Sequence, residues 1–208
     1  MYCFVSYFRE GKRLRPYATV LPMNSEAAIQ LLQSEIANGN QHAYRQLFTL
    51  LYPKLYRFVF SLTKNRELSE EIVSDVFINI WRKKENLPEI VNLKLYLYTS
   101  AKNISINYLS KLAREKTVNL DDLDPLISAP FINAEEALIT KEMDMRIRNA
   151  IQALPPKAKL IFILIKENGF SYREAAEILN LSVSTVDNQL VIAIKKIAKT
   201  LHYRFVKK

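Results

Sequence analysis

The segment from Ser171 to Leu190, Ser-Tyr-Arg-Glu-Ala-Ala-Glu-Ile-Leu-Asn-Leu-Ser-Val-Ser-Thr-Val-Asp-Asn-Gln-Leu, restricts what this chain can fold into more than any other. Ser171 and Glu174 stand three apart, the spacing of a capping box in which each side chain satisfies a free amide at a helix start. Ala175, Ala176 and Leu179 follow as an apolar stripe, with small residues where a second helix must come close. Asn180 predicts the helix end, because Asn tolerates the left-handed backbone of a tight turn. Ser182 predicts the next N-cap, and Val186, Leu190, Ala193 and Ile197 the inner face of the helix it opens. Ser184, Thr185, Asp187 and Asn188 are then left near the exposed N-terminal end, beside the cap Ser182. That is where a recognition helix meets base edges. Lys195, Lys196 and Lys199 lie further along, placed to neutralise phosphates. An ordinary helical hairpin shares this periodicity. The two caps and the small-on-small packing favour the DNA-reading form.

Composition sets the surroundings. Of 208 residues 49% are hydrophobic, enough for two small cores or one of medium size. Three glycines and long stretches of helix period point to an all-α fold. The formal charge of +9 suits a polyanionic partner, and its placement matters more than its sum. Residues 114–140 hold six carboxylates against two cations, whereas residues 141–208, which contain the helical pair, hold thirteen cations against six carboxylates.

Several classes are excluded. One cysteine, Cys3, leaves no intramolecular disulfide and no cysteine-rich zinc site. His42 and His202 have no ligand-like spacing to other donors, so no metal is expected. No nucleophile–base pair and no glycine-rich phosphate loop stands out, so neither catalysis nor a cofactor is expected. The longest apolar run, Leu160 to Ile165, falls far short of the ~20 residues that span a bilayer. The first 22 residues lack the unbroken apolar stretch of a signal peptide, which makes the cytoplasm the expected compartment.

Residues 1–24 show no helix period and read as a poorly ordered extension, with Met23 a second candidate start. Residues 25–113 read as four helices, near 26–37, 41–63, 66–83 and 93–112, with Pro53 expected to kink or restart the second. The segment 84–92 reads as a loop. Residues 114–134 carry Asp121, Asp122, Asp124, Pro125 and Pro130 and read as a flexible acidic linker. Helices resume over 135–154 and, after Pro155-Pro156, over 157–168, closed by Gly169 ahead of the helical pair. The expectation is two small helical domains, 25–113 and 135–208, joined by that linker.

Two helices of the first domain stand out. The third has Glu70 and Glu71 near its start, Glu71, Asp75 and Asn79 along one face, and Ile72, Val76 and Ile80 beside them, with Phe77 and Trp81 spaced by four. As a core helix it would bury the aromatics and leave a solvated acidic face. The fourth, with Tyr96, Tyr98, Lys102, Asn103 and Asn107, mixes aromatics, amides and lysines, the chemistry that captures single-stranded nucleic acid. Leu97, Ala101 and Ile104 of the same helix are core.

These segments resemble a family. Leu68-Ser-Glu-Glu-Ile-Val-Ser-Asp-Val-Phe-Ile-Asn-Ile-Trp81 resembles region 2 of bacterial sigma factors, and Tyr96-Leu-Tyr-Thr-Ser-Ala-Lys-Asn103 its Trp-Leu-Tyr…Ala-Arg-Asn helix. Leu154-Pro-Pro-Lys…Phe162 and the helix-turn-helix resemble region 4. The absence of other sigma modules between them implies, on this resemblance, the extracytoplasmic-function (group 4) type. Tyr96 stands where the family often has Trp, Asn107 where it often has Asp, and Asp187 and Ile192 at positions commonly basic.

The resemblance implies a role for each part. Glu70, Glu71, Asp75 and Asn79 would dock on core RNA polymerase. Lys84, Asn86, Tyr96, Lys102, Asn103 and Asn107 would open and hold the −10 element. Ser182, Ser184, Thr185, Asp187, Asn188, Lys195 and Lys196 would bind the −35 duplex. It further implies an anti-sigma partner, a monomer when free, no membrane insertion and no enzymatic activity. The competing reading is a helix-turn-helix regulator with a helical ligand-binding or dimerisation domain. A third is a protein that sequesters sigma or anti-sigma partners without reading DNA.

Overall fold

The computed structural model describes residues 26–115 and 138–201, and all regular structure among them is helical. The expected N-terminal extension, nearly all of the acidic linker, the start of the following helix, Cys3 and His202 lie outside the described residues.

Helix α1 (Glu26–Ala37) ends at Gly39, whose φ of +82° reverses the chain at no side-chain cost. Asn40 caps α2 (Gln41–Thr63), accepting from the amides of His42 at 2.9 Å and Ala43 at 3.2 Å. Helix α2 continues through Pro53 rather than restarting. Leu47, Leu51, Leu55 and Phe58 fix its buried face on both sides of the proline, so packing outweighs the one lost backbone bond. Asn65 caps α3 (Arg66–Arg82) through the Leu68 amide at 2.8 Å.

The segment expected as a loop winds into a 3₁₀ helix, Lys84–Glu89. Its anchor is remote. Gln33 of α1, buried, donates to the carbonyls of Leu87 (2.5 Å) and Ile90 (2.7 Å), and the Leu87 side chain is buried in the core. Asn92 then caps α4 (Leu93–Glu115), accepting from the Leu95 amide at 2.9 Å.

In the second group, α5 (Leu138–Gln152) precedes α6 (Pro156–Phe162), which has Pro156 at its first turn as expected. Helix α6 widens into one π-helical turn, Ile163–Glu167, and Gly169 at φ +71° ends it. Lys159 is buried there, donates to Gln152, and has its pKa pushed down to about 8 by burial first and by Lys64 second. Helix α7 (Tyr172–Leu179) has the full capping box, with Glu174 N to Ser171 Oγ at 3.2 Å and Ser171 N to Glu174 Oε2 at 2.8 Å. Asn180 takes φ +52° at the turn, and Ser182 caps α8 (Val183–Thr200) through the Thr185 amide at 3.1 Å. Ala175, Ala176 and Ile178 bury the inner side of α7, with Leu179 only half-buried.

The two groups share one hydrophobic core. It runs from Ile29, Leu47 and Phe77 through Tyr98 to Phe170, Ala175 and Leu190, with a small satellite at Leu154, Ala158 and Ala193. Of the two arrangements composition allows, this is the single core of medium size, with α7 lying on α4 and α6 against α2.

Candidate nucleic-acid and polymerase interfaces

Three surfaces and one internal junction carry the residues of interest. On α3, Glu70, Glu71 and Asn79 are exposed and Asp75 is half-buried. Glu70 pairs with Arg66 at 3.0 Å, and Tyr108 of α4 donates to Glu71 at 3.0 Å, which holds the phenol's pKa above its usual value. The apolar side of α3 is core. Phe77 is buried against Tyr44 and Phe48 (centroids 6.4 and 4.9 Å), and Trp81 packs on Tyr44 at 5.0 Å. The acidic row is therefore a solvent-facing strip on a rigid support.

Where α3 ends, a cleft of about 330 Å³ opens between Asn79, Ile80, Lys83, Asn86, Leu87, Glu89, Ile90 and Tyr96. Asn86 and Tyr96 are exposed at it, and Lys84 lies over the Trp81 ring at 5.5 Å. Asn103 and Asn107 face solvent further along α4. Of the six residues expected at this interface, Asn86, Tyr96, Asn103 and Asn107 are exposed and Lys84 is half-buried.

Lys102 is the sixth, and it is buried at 4% exposure. With the Asn180 amide set so that its Nδ2 donates to the Glu177 carbonyl (3.2 Å), its Oδ1 accepts from Lys102 Nζ at 3.3 Å. In this arrangement Lys102 holds the turn of the helix-turn-helix rather than presenting a charge to solvent. The reason is its register. Lys94, Tyr98 and Lys102 recur at steps of four on the face of α4 that α7 covers.

The whole stripe is a junction. Lys94 donates to the Asn168 carbonyl and lies over the Phe170 ring at 4.4 Å. Tyr98 donates to Asn168 Oδ1 at 2.7 Å and meets Phe170 edge-on at 4.8 Å. Burial, the largest cause, keeps the Tyr98 phenol protonated by pushing its pKa far up, so it is a permanent donor. Asn92 donates to Glu174 Oε1 at 3.0 Å, and Arg57 faces Glu167 at 3.6 Å. Reading by sequence missed this junction. Its one advance signal is Asn168, a polar side chain at a helix end that needs only Gly169.

Helix α8 forms the third surface. Val186, Leu190 and Ala193 are fully buried, Ile197 is half-buried, and Ser182, Ser184, Asp187, Asn188, Lys195 and Lys196 are exposed on the other side. Thr185 is half-buried, its hydroxyl 2.8 Å from that of Ser182, and Ser184 lies 3.0 Å from the same oxygen. The polar residues thus sit at the helix N-terminus and the lysines toward its C-terminal end, with Val191 (41% exposed) and Ile192 (43% exposed) between them. Among the described residues no helix is long and apolar enough to cross a membrane, and no group of acidic, histidine or cysteine side chains could hold a metal ion.

Comparison with known proteins places these surfaces in a family. The model for Sigma-70 region 2 matches residues 47–115, and that for Sigma-70, region 4 matches residues 144–197. The chain belongs to the sigma-70 family and, within it, to the extracytoplasmic-function sigma factors. It is 22% identical over 172 residues to the ECF RNA polymerase sigma factor SigW of Bacillus subtilis, covering 79% of this chain and 92% of that protein. It is 25% identical over 162 residues to SigM of the same organism, covering 77% and 96%. Among solved structures, the sigma factor RpoE in complex with the anti-sigma factor NepR from Bartonella quintana shares the fold. Its TM-score is 0.60 at 24% identity, over 76% of this chain and 96% of that one. Members of this family are transcription initiation factors.

Proposed function

We propose that this chain is an alternative sigma factor whose three exposed surfaces divide the work of initiation. The acidic strip Glu70, Glu71, Asp75 and Asn79 docks on core RNA polymerase. The cleft at Asn86 and Tyr96, with Lys84, Asn103 and Asn107, receives the −10 strand as it leaves the duplex. A base that leaves its stack costs a few kcal/mol, and a formed cleft beside an aromatic ring offsets part of that. Helix α8 reads the −35 duplex with Ser182, Ser184, Thr185, Asp187 and Asn188 and grips phosphates with Lys195 and Lys196.

The observation that carries the reading is α8 itself. It is capped, locked to the core along one face, and polar then cationic along the other. No such order of charges is needed for a helix that only packs.

The packed arrangement is the DNA-free state. The −35 and −10 elements are centred about 25 base pairs apart, which is about 85 Å of B-form duplex. A globule of this many residues is only about 40 Å across. The two helical groups therefore separate to engage both elements, and the α4–α7 junction breaks. An anti-sigma protein that favours the packed state fits the same scheme. The reading supposes a cytoplasmic chain that is monomeric when free.

Transcription with purified core polymerase on a library of random upstream sequences tests the function. Starts at a shared −35/−10 pattern that require this chain are expected. Binding to a palindromic site without core polymerase and without transcripts would favour the repressor or activator reading.

A further inference from the structure

We propose that Val191 and Ile192 read thymine 5-methyl groups in the −35 duplex; the inference rests on the assignment of α8 to that duplex. Both are exposed, at 41% and 43%, on the face opposite the buried Val186, Leu190 and Ala193. Val191 stands four residues after Asp187 and three after Asn188, and Ile192 four after Asn188, so the pair continues the same helical face. Single exposed aliphatics are ordinary on any surface. Two adjacent β-branched ones between hydrogen-bonding residues and lysines form a defined apolar step.

Geometry limits what they can touch. At 1.5 Å rise per residue, Val191 lies about 10 Å along α8 from Ser184 and about 5 Å from Asn188. The apolar pair is therefore the next group on this face after Asn188, before Lys195 and Lys196. On major-groove edges the thymine 5-methyl is the one alkyl group that projects from a base, where cytosine has only hydrogen. Stiff β-branched side chains lose little freedom on making such a contact.

A protein partner fits this patch less well. A stable protein interface buries about 800 Å² on each side, many times what two aliphatic side chains offer. Lys195 and Lys196, exposed just beyond the pair, complement backbone phosphate instead.

The test uses the full-length chain with core polymerase. DNA duplexes are selected from a pool randomised over the −35 block, and each thymine of the recovered motif is then replaced by deoxyuridine, which removes only the methyl. The expected result is at least one thymine where the replacement weakens binding about fourfold, the factor that burial of one methyl gives. In the exposed substitutions Val191→Ser and Ile192→Ser, the thymine-to-uracil ratio at that position should fall to one, with the Tm of the chain unchanged. A motif without thymine, or affinities that ignore the replacement at every position, overturns the inference while leaving the −35 assignment standing. A methyl effect that survives both substitutions also overturns it. Absence of any sequence-selective binding overturns the −35 assignment and the inference together.

Discussion

Replacing Tyr98 with phenylalanine perturbs the α4–α7 junction with the smallest possible change, one oxygen. In the packed state the Tyr98 hydroxyl donates to Asn168 Oδ1 at 2.7 Å, while Asn168 Nδ2 is engaged by the Ile163 carbonyl at 2.8 Å. Asn168 is 6% exposed and Tyr98 fully buried, so water cannot take over the lost bond. An acceptor left buried and unpaired costs about 1–3 kcal/mol. Once the two helical groups separate, the same acceptor is hydrated and the cost disappears. Tyr98→Phe should therefore shift the packed–opened equilibrium toward the opened form by roughly five- to 150-fold, with the ring's contacts to Phe58 and Phe170 kept. Single-molecule energy transfer between labels at Arg82→Cys and Lys199→Cys, in a chain with Cys3→Ser, reads the two populations directly. A low-transfer population that grows severalfold in Tyr98→Phe is expected. An unchanged histogram, with the variant folded and the original showing both populations, would refute the claim that this junction holds the packed state.

Asp75→Arg should weaken association with core polymerase about tenfold or more near physiological salt, because it sets like charge against a complementary rim; an unchanged Kd in a fluorescence titration removes α3 from that interface. Tyr96→Ala should spare −35 protection yet lower permanganate reactivity of −10 thymines by about the 1–3 kcal/mol that one base–aromatic stack supplies. Normal strand opening in this variant would reassign the cleft. Asn188→Ala should relax the preference at one −35 base pair, worth about 1–3 kcal/mol, whereas Lys196→Ala should weaken all sequences alike and flatten the salt slope by about one. A selection on randomised sites distinguishes them, and an unaltered logo for Asn188→Ala counts against its role.

Where information was local, the sequence was easy to read. Ser171 with Glu174, Ser182 and the small pair Ala175–Ala176 specify their helix ends and their packing face within a few residues, and the helix-turn-helix followed from them. The bounds of α1 and α2 were legible for the same reason. The 3₁₀ helix Lys84–Glu89 was not, because Gln33 holds it from more than fifty residues away. The π-helical turn Ile163–Glu167 has no signature of its own, and Asn168 gains its meaning only when Tyr98 arrives beside it. Lys102 shows the limit most plainly. Its residue type and helix suit a nucleic-acid contact, and so did its neighbour Asn103, yet one helical step separates a buried amine from an exposed amide. Periodicity says that two faces exist; only tertiary packing says which of them is covered.

The central claim is that one opened chain reads two separated DNA elements and unpairs only the downstream one. Footprinting of the assembled holoenzyme on a selected promoter, with DNase and permanganate on the same templates, tests it most directly. The account predicts two protected blocks centred about 25 base pairs apart, about 85 Å along the duplex, with reactive thymines confined to the downstream block. A single symmetric block, fully base-paired and present without core polymerase, would contradict it.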